Sequence, residues 1–245
     1  MIVACDVVNT LVITGTGTGV GKTVTIAAIA ALARVGGWRV AVLKPTQTGL
    51  AADRPSDLSE IVRLAGELTT LELARYPDAL GPDAAARQAG LPSVGPAEIA
   101  AASGTLARDH DVVLIDGAGG LLVRLDNTGG TLADVAWAMS VPVLVVARPG
   151  HDTLNGTALT TEILRHRGIP RAGVVLGRWP DEPDLAARCD LADLASIGDV
   201  PLLGALPRGA SALDRTRFVE MAKCWLAPEL GGVFDALDFS AENPP

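Results

Sequence analysis

Basic residues are scarce in this chain of 245 residues: 20 Lys and Arg stand against 28 Asp and Glu, a formal net charge of −8. Nucleic acid and anionic membrane surfaces both demand a basic face, so neither is expected as a partner. Aromatics are rarer still, with 4 Trp, 1 Tyr and 3 Phe scattered along the chain, which leaves no platform for stacking bases. Three cysteines, Cys5, Cys189 and Cys224, lie far apart and are odd in number. They suggest neither a disulfide framework nor a C-x-x-C metal knuckle, and read as small buried hydrophobes of a cytoplasmic protein. Met1 to Thr10 lack a basic leader region and include Asp6, so no signal peptide is expected. Although the mean hydropathy is +0.34, no apolar run approaches the ~18–20 residues that span a bilayer.

What the chain does have is core-forming material, 49% hydrophobic against 20% charged residues. Its length suits one large domain, residues 1–245, with a polar, frayed tail from Asp238 to Pro245. Continuous runs of Val, Ile and Leu recur at Leu11–Ile13, Val40–Leu43, Val112–Ile115, Val141–Ala147, Val174–Leu176 and Val200–Leu203. Unbroken rather than alternating runs are what strands buried on both faces require. Helix-length stretches separate them: Val24–Arg34, Ala97–Arg108, Thr131–Met139, Leu154–Arg167, Leu185–Ile197 and Leu213–Leu226. This alternation predicts right-handed βαβ crossovers and an α/β fold, a single doubly wound, mainly parallel sheet with helices on both faces. Gly81, Pro82, Pro92, Gly95 and Pro96 read as a loop-rich excursion. Ligands of such sheets collect beyond the carboxyl ends of the strands, so residues just after each apolar run are the candidates.

The first run enters T-G-T-G-T-G-V-G-K-T, Thr14 to Thr23, and then an Ala-rich helix. Glycines let the backbone fold tightly, so that N–H groups of Gly19, Val20, Gly21 and Val24 converge on an anion at a helix N-terminus. Lys22 is spaced to reach β- and γ-phosphates and Thr23 to offer a hydroxyl to Mg²⁺. The strict G-x-x-x-x-G-K-[ST] pattern would place Gly at Thr16; counted from Gly15, this loop is one residue longer. A phosphate-loop NTPase fold binding ATP or another NTP follows.

Three further loops carry chemistry. Lys44 closes the second run, with Pro45 expected to stop the strand and Thr48 nearby. It is either a solvated charge or a second cation for phosphoryl transfer. Asp57, in P-S-D-L-S-E, is either a helix cap or a carboxylate for Mg²⁺. Asp116 ends a buried strand, where an acid is costly unless it meets a metal or donors. Gly119 and Gly120 behind it allow close backbone approach to a small anionic ligand. The histidines, His110, His151 and His166, share no ligand spacing, and Trp179 reads as a surface or interface aromatic.

Taken in order, G-T-G-T-G-V-G-K-T (Gly15–Thr23), K-P-T-Q-T-G (Lys44–Gly49), S-D-L (Ser56–Leu58), D-G-A-G-G (Asp116–Gly120), T-L-N (Thr153–Asn155) and V-P-L-L-G-A-L-P (Val200–Pro207) resemble the dethiobiotin synthetases. These are ATP-dependent ligases of biotin synthesis, and the resemblance runs from about Thr10 to Leu226. The family loop carries the same extra residue. The resemblance implies that CO₂ adds to one amine of 7,8-diaminopelargonate and that the carbamate attacks the γ-phosphate. The second amine then closes the ureido ring. It further implies that Lys22 clamps phosphates, Thr18 touches the reacting region, Lys44 holds the carbamate and Thr48 orients the diamine. Thr23, Asp57 and Asp116 would share Mg²⁺, while Gly177, Pro207, Arg208 and Gly209 border the base. Leu154 and Asn155 would reach the diamine of a neighbouring subunit, so a homodimer is implied.

This chain departs from the family pattern at three positions. Asp116 replaces the usual Glu, about 1.5 Å shorter in reach, so contact with the metal through water stays open beside direct ligation. Gly156 follows T-L-N where His is usual, and a helix cap remains the other reading of Asn155. Gly177 stands where many members carry an Asn that reads adenine, which predicts loose base selectivity. A nucleotide-switch ATPase of the partition type, or an inactive regulatory homologue, is the alternative. A switch ATPase would carry a signature lysine early in its loop, and Thr14 to Gly17 contain none.

Overall fold

The computed structural model describes residues 9–51, 54–150, 152–194, 197 and 200–245. Cys5, His151 and the segment 1–8 lie outside them. The strands are β1 (Asn9–Gly15), β2 (Val40–Thr48), β3 (Thr69–Tyr76), β4 (Val112–Gly120), β5 (Val143–Ala147), β6 (Arg171–Trp179) and β7 (Leu202–Pro207). They form one sheet in the order β3-β2-β4-β1-β5-β6-β7, and every pairing between neighbours is parallel. The helices are α1 (Lys22–Val35), α2 (Asp57–Ala65), α3 (Pro82–Ala89), α4 (Pro96–Leu106), α5 (Leu132–Met139), α6 (Thr153–His166), α7 (Leu185–Leu194), α8 (Arg215–Trp225) and α9 (Ala236–Glu242).

Right-handed crossovers put α1 and α2 on one face and α4 to α7 on the other, because the chain moves in opposite directions across the sheet in the two halves. Contacts agree: α1, α2 and α8 pack on one another, α4 on α5, and α6 on α7. Helix α1 is buried over nine successive residues, Thr25 to Ala33, five of them alanine. Such small side chains let the helix sit flat between the sheet and α2 and α8. The phosphate loop is thereby fixed to the most deeply enclosed helix.

Several boundaries differ from the sequence reading. Strand β3, T-T-L-E-L-A-R-Y, is an extra edge strand, exposed or half-buried until its last residue, Tyr76, which is buried. Helix α3 fills what reads as a loop, because Gly81 serves as N-cap and Pro82 as the first helical residue, where a missing N–H costs nothing. Pro45 does not stop β2. Pairing of β2 with β4 ends at Leu43–Ile115, whereas pairing with β3 continues to Thr48–Tyr76, so the proline falls where the strand has one neighbour. The tail is not frayed over 238–242, which belongs to α9, where Asp235 caps the amides of Leu237 and Asp238. Phe239 of α9 packs edge-on against Trp179, with ring centroids 5.2 Å apart, so Trp179 is a core residue and not a surface one. Cys224 is exposed and Cys189 half-buried, so neither is the buried hydrophobe its type suggests.

Candidate active site

The turn from β1 to α1 wraps around a point above the sheet. Gly19 and Gly21 adopt φ of +71° and +110°, a region closed to most side chains, so this loop needs glycine at both positions. Lys22 Nζ donates to the Gly17 carbonyl at 3.1 Å and arches over the loop. Burial lowers its pKa, with the charge of Lys44 acting in the same direction and those of Asp116 and Asp57 against it.

Lys44 lies one residue beyond the last β2–β4 pair and meets Asp116 one residue beyond the same pair on β4. Its ammonium donates to Asp116 Oδ2 at 2.7 Å and to Asp57 Oδ2 at 2.6 Å. Burial opposes the charge on Lys44, yet the two carboxylates outweigh it and the pKa is pushed up to about 12. Asp116 is fully buried, and burial raises its carboxyl although Lys44 pulls the other way. Ser56 caps α2 through its side chain, leaving Asp57 as the first helical residue. The Asp57 amide donates to Gln47 Oε1 at 3.1 Å, which ties α2 to the end of β2.

Of these groups Lys22, Lys44, Gln47 and Asp57 border one cavity of about 940 Å³, whereas Asp116 is fully buried and does not line it. It gathers Thr18, Gly19, Gly21, Lys22, Thr23, Val24, Lys44, Thr48, Asp57 and Gly119 of the sequence candidates. Its far wall is apolar, built from Leu50, Ala79, Leu80, Pro82 and Val123. Pro207 and Arg208 instead line a smaller pocket of about 90 Å³ with Gly21, Val24, Leu206, Ala210 and Ser211. Val20 is buried beneath the loop, Gly120 pairs with Gly15, and Gly209 caps a short 3₁₀ turn. Leu154 and Asn155 belong to the first turn of α6 and do not line the large cavity.

Magnesium can be tested against this donor set. Among the described residues, no three His, Cys, Asp or Glu side chains form a metal cage. Mg²⁺ does not need one, because it binds through one or two carboxylates together with phosphate oxygens and water. Asp116 Oδ1 is buried with no hydrogen-bond partner, and Asp57 and Thr23 border the cavity beside it. An orphaned carboxylate oxygen, a second carboxylate sharing Lys44 with it and a hydroxyl on the cavity wall make a donor set that suits a hard cation.

Comparisons with known proteins establish the family. A family model described as "AAA domain" matches residues 9–214. The ATP-dependent dethiobiotin synthetase BioD of Streptomyces avermitilis is 57% identical over 237 residues, covering 97% of this chain and 100% of that one. That of Saccharopolyspora erythraea is 60% identical over 224 residues, 91% of this chain and 98% of the relative. The chain belongs to the dethiobiotin synthetase family. Among solved structures, the septum site-determining protein MinD from Pyrococcus horikoshii, complexed with Mg-ADP, has a TM-score of 0.56. It is 16% identical, covers 87% of this chain and 94% of its own, and shows the shared fold.

Two of the three positions that the sequence reading sets apart from the dethiobiotin synthetase pattern, Gly177 and Gly156, are tightly packed against the phosphate loop. A Cβ at Gly177 would stand 2.2 Å from the Val20 carbonyl oxygen, so β6 lies flush against the phosphate loop and admits no side chain there. A Cβ at Gly156 would meet Thr16 Cβ at 3.2 Å, a tight contact between α6 and the loop. Three groups escaped the sequence reading. Gln47 orients the Asp57 backbone, and its only signal is its place between Thr46 and Thr48. Leu80 and Pro82 follow β3, whose sequence lacks the continuous apolar run that marks the other strands. Arg178, beside Gly177, reaches over the loop, and nothing in its neighbours' composition marks it.

Proposed function

We propose that this chain is an ATP-dependent dethiobiotin synthetase. It carboxylates 7,8-diaminopelargonate with CO₂ and closes the ureido ring through a carbamic-phosphoric anhydride, releasing ADP and phosphate. The observation that carries this reading is Lys44, a buried ammonium at the edge of the phosphate-loop cavity with Lys22 on the same cavity's wall. A switch that only hydrolyses nucleotide has no need of a second buried lysine facing a cavity with an apolar wall.

In this proposal the amides of Gly19 to Val24 and the Lys22 ammonium hold the triphosphate. Thr18 borders the reacting region. Lys44 holds the carbamate and neutralises charge that grows as its oxygen attacks the γ-phosphorus, and Thr48 orients the diamine against the apolar wall. Such a reaction needs positioning and charge neutralisation more than covalent help. Mg²⁺, held by Thr23, Asp57 and Asp116, supplies Lewis-acid stabilisation of phosphate charge when bound. Gly177, Pro207, Arg208 and Gly209 border the base. Gly119 and Gly120 approach the substrate through backbone. Leu154 and Asn155 serve the diamine site of a second protomer, which makes the active form a homodimer. The chain acts as one domain in the cytoplasm; among the described residues no helix is long and apolar enough to cross a membrane.

The test measures phosphate release with Mg²⁺ and ATP while bicarbonate and the diamine are added separately and together. Release that requires both is the expected result. Hydrolysis that ignores the diamine would replace this reading with a nucleotide switch.

A further inference from the structure

Arg178 borders three cavities at once. It lines the large phosphate-loop cavity, the small Pro207–Ser211 pocket, and a third space of about 450 Å³ shared with Arg148 and Arg208. Its backbone sits at φ +67°, left-handed territory that an arginine enters only under strain. The conformation serves the chain locally: Gly177 lies flat beneath Val20, and Trp179 turns inward to the core. Glycine would meet that backbone need without strain, so the retained side chain calls for a purpose of its own.

That side chain is exposed and points across the phosphate loop. Its Cγ lies 3.4 Å from where a Gly21 Cβ would be, and Nη1 reaches the Gly19 carbonyl at 3.5 Å, a distance too long for a strong bond. Among the described residues Arg178 makes no ion pair. A guanidinium offers five donors and no acceptor, and its best partner is a doubly anionic or bidentate oxygen group. Resting on the reading of this cavity as a nucleotide site, we infer that Arg178 grips the α-phosphate of the bound nucleotide and so anchors it independently of the base. A nucleotide with its terminal phosphates on the loop and its base in the Pro207–Ser211 pocket carries its α-phosphate past Gly21, Val24 and Arg178, which line both spaces, and of the three Arg178 alone has a charged side chain. The grip also explains how the chain dispenses with a side chain at position 177, since affinity comes from the part shared by all nucleotides.

The experiment titrates ADP, GDP and CDP, without diamine, into the full-length chain and its Arg178→Gly and Arg178→Lys variants, and records thermal midpoints. Losing one charge-assisted, bidentate contact should weaken all three diphosphates alike in Arg178→Gly, by about 10- to 100-fold. Arg178→Lys should recover part of that loss, because a point charge replaces the fork. The glycine variant should melt no lower than the parent, since glycine relieves the strain. Unchanged affinity in Arg178→Gly would overturn the inference, as would a loss confined to one base. A lowered melting point with a loss that lysine does not rescue would make Arg178 structural and overturn it equally. Because no diamine is present, a failure of the synthetase reading leaves this result readable on its own.

Discussion

Replacing Lys44 by methionine keeps most of the side-chain volume and removes the charge between Asp57 and Asp116. Only 6% of the Lys44 side chain and none of that of Asp116 is exposed, so the variant strands a buried carboxylate. Breaking a buried pair by removing one partner costs about 3–5 kcal/mol. Asp57 is 36% exposed and can turn to water, which places the expected loss at the lower end, about 3 kcal/mol. For a chain of this size that corresponds to a fall of about 6–12 °C in melting temperature. The pH dependence has a definite sign. In the parent, the raised Lys44 holds its contribution at all pH values below 10.5 and loses it only as pH climbs through about 12. The Asp116 carboxyl is raised by burial, so its ionisation weighs on the fold increasingly as pH rises through that raised value. Without Lys44 to oppose it, the deficit should be smallest at acid pH, where Asp116 is protonated, and grow as pH rises through its raised value. Differential scanning calorimetry of Lys44→Met, Asp116→Asn and the double variant would measure the coupling. The double variant should recover at least about 2 kcal/mol over the sum of the singles, and strict additivity within about 0.5 kcal/mol would refute the buried-pair argument. Turnover should vanish in Lys44→Met while ATP still binds through the loop and Lys22; loss of nucleotide binding would remove the role given to Lys44.

Two other substitutions probe the departures from the family pattern. Asp116→Glu should keep diamine-dependent phosphate release within about tenfold and lower stability by about 1–3 kcal/mol, since one methylene enters a fully buried site; collapse of release would show a pocket built around the shorter arm. With the parent, ATP, GTP and CTP should support rates of similar size, and a strong ATP preference would contradict the reading of Gly177. Gly177→Asn should not restore adenine preference but weaken binding of every nucleotide, because its Cβ displaces the Val20 carbonyl. Tighter ATP binding in that variant would show that the loop yields.

The parallel sheet was legible because its central strands are continuous apolar runs, and the phosphate loop because its glycine spacing leaves few alternatives. Strand β3 was not, since Thr69 to Tyr76 at the sheet edge is covered on fewer sides and needs no such run. Helix α3 hid behind Gly81 and Pro82, residues that punctuate a chain but also begin helices. Lys44 and Asp57 each had a plausible innocent reading by themselves. Their meeting with Asp116 depends on strand order, and in the chain Lys44 and Asp116 are 72 positions apart. Arg178 left no trace, because its significance lies in a backbone angle and in three spaces that exist only after folding.

Where β2 and β4 part company after Leu43 and Ile115, the ammonium and the acid stand on opposite lips of a seam. Their backbones are held apart by the spacing of neighbouring strands, about 4.8 Å, and not by any loop, and the side chains close that gap to a 2.7 Å contact. The seam therefore acts as a fixed ruler. Segments 79–82 and 207–211 could be exchanged to accommodate another diamine or another nucleotide, and the gauge between the two charges would stay as the sheet sets it.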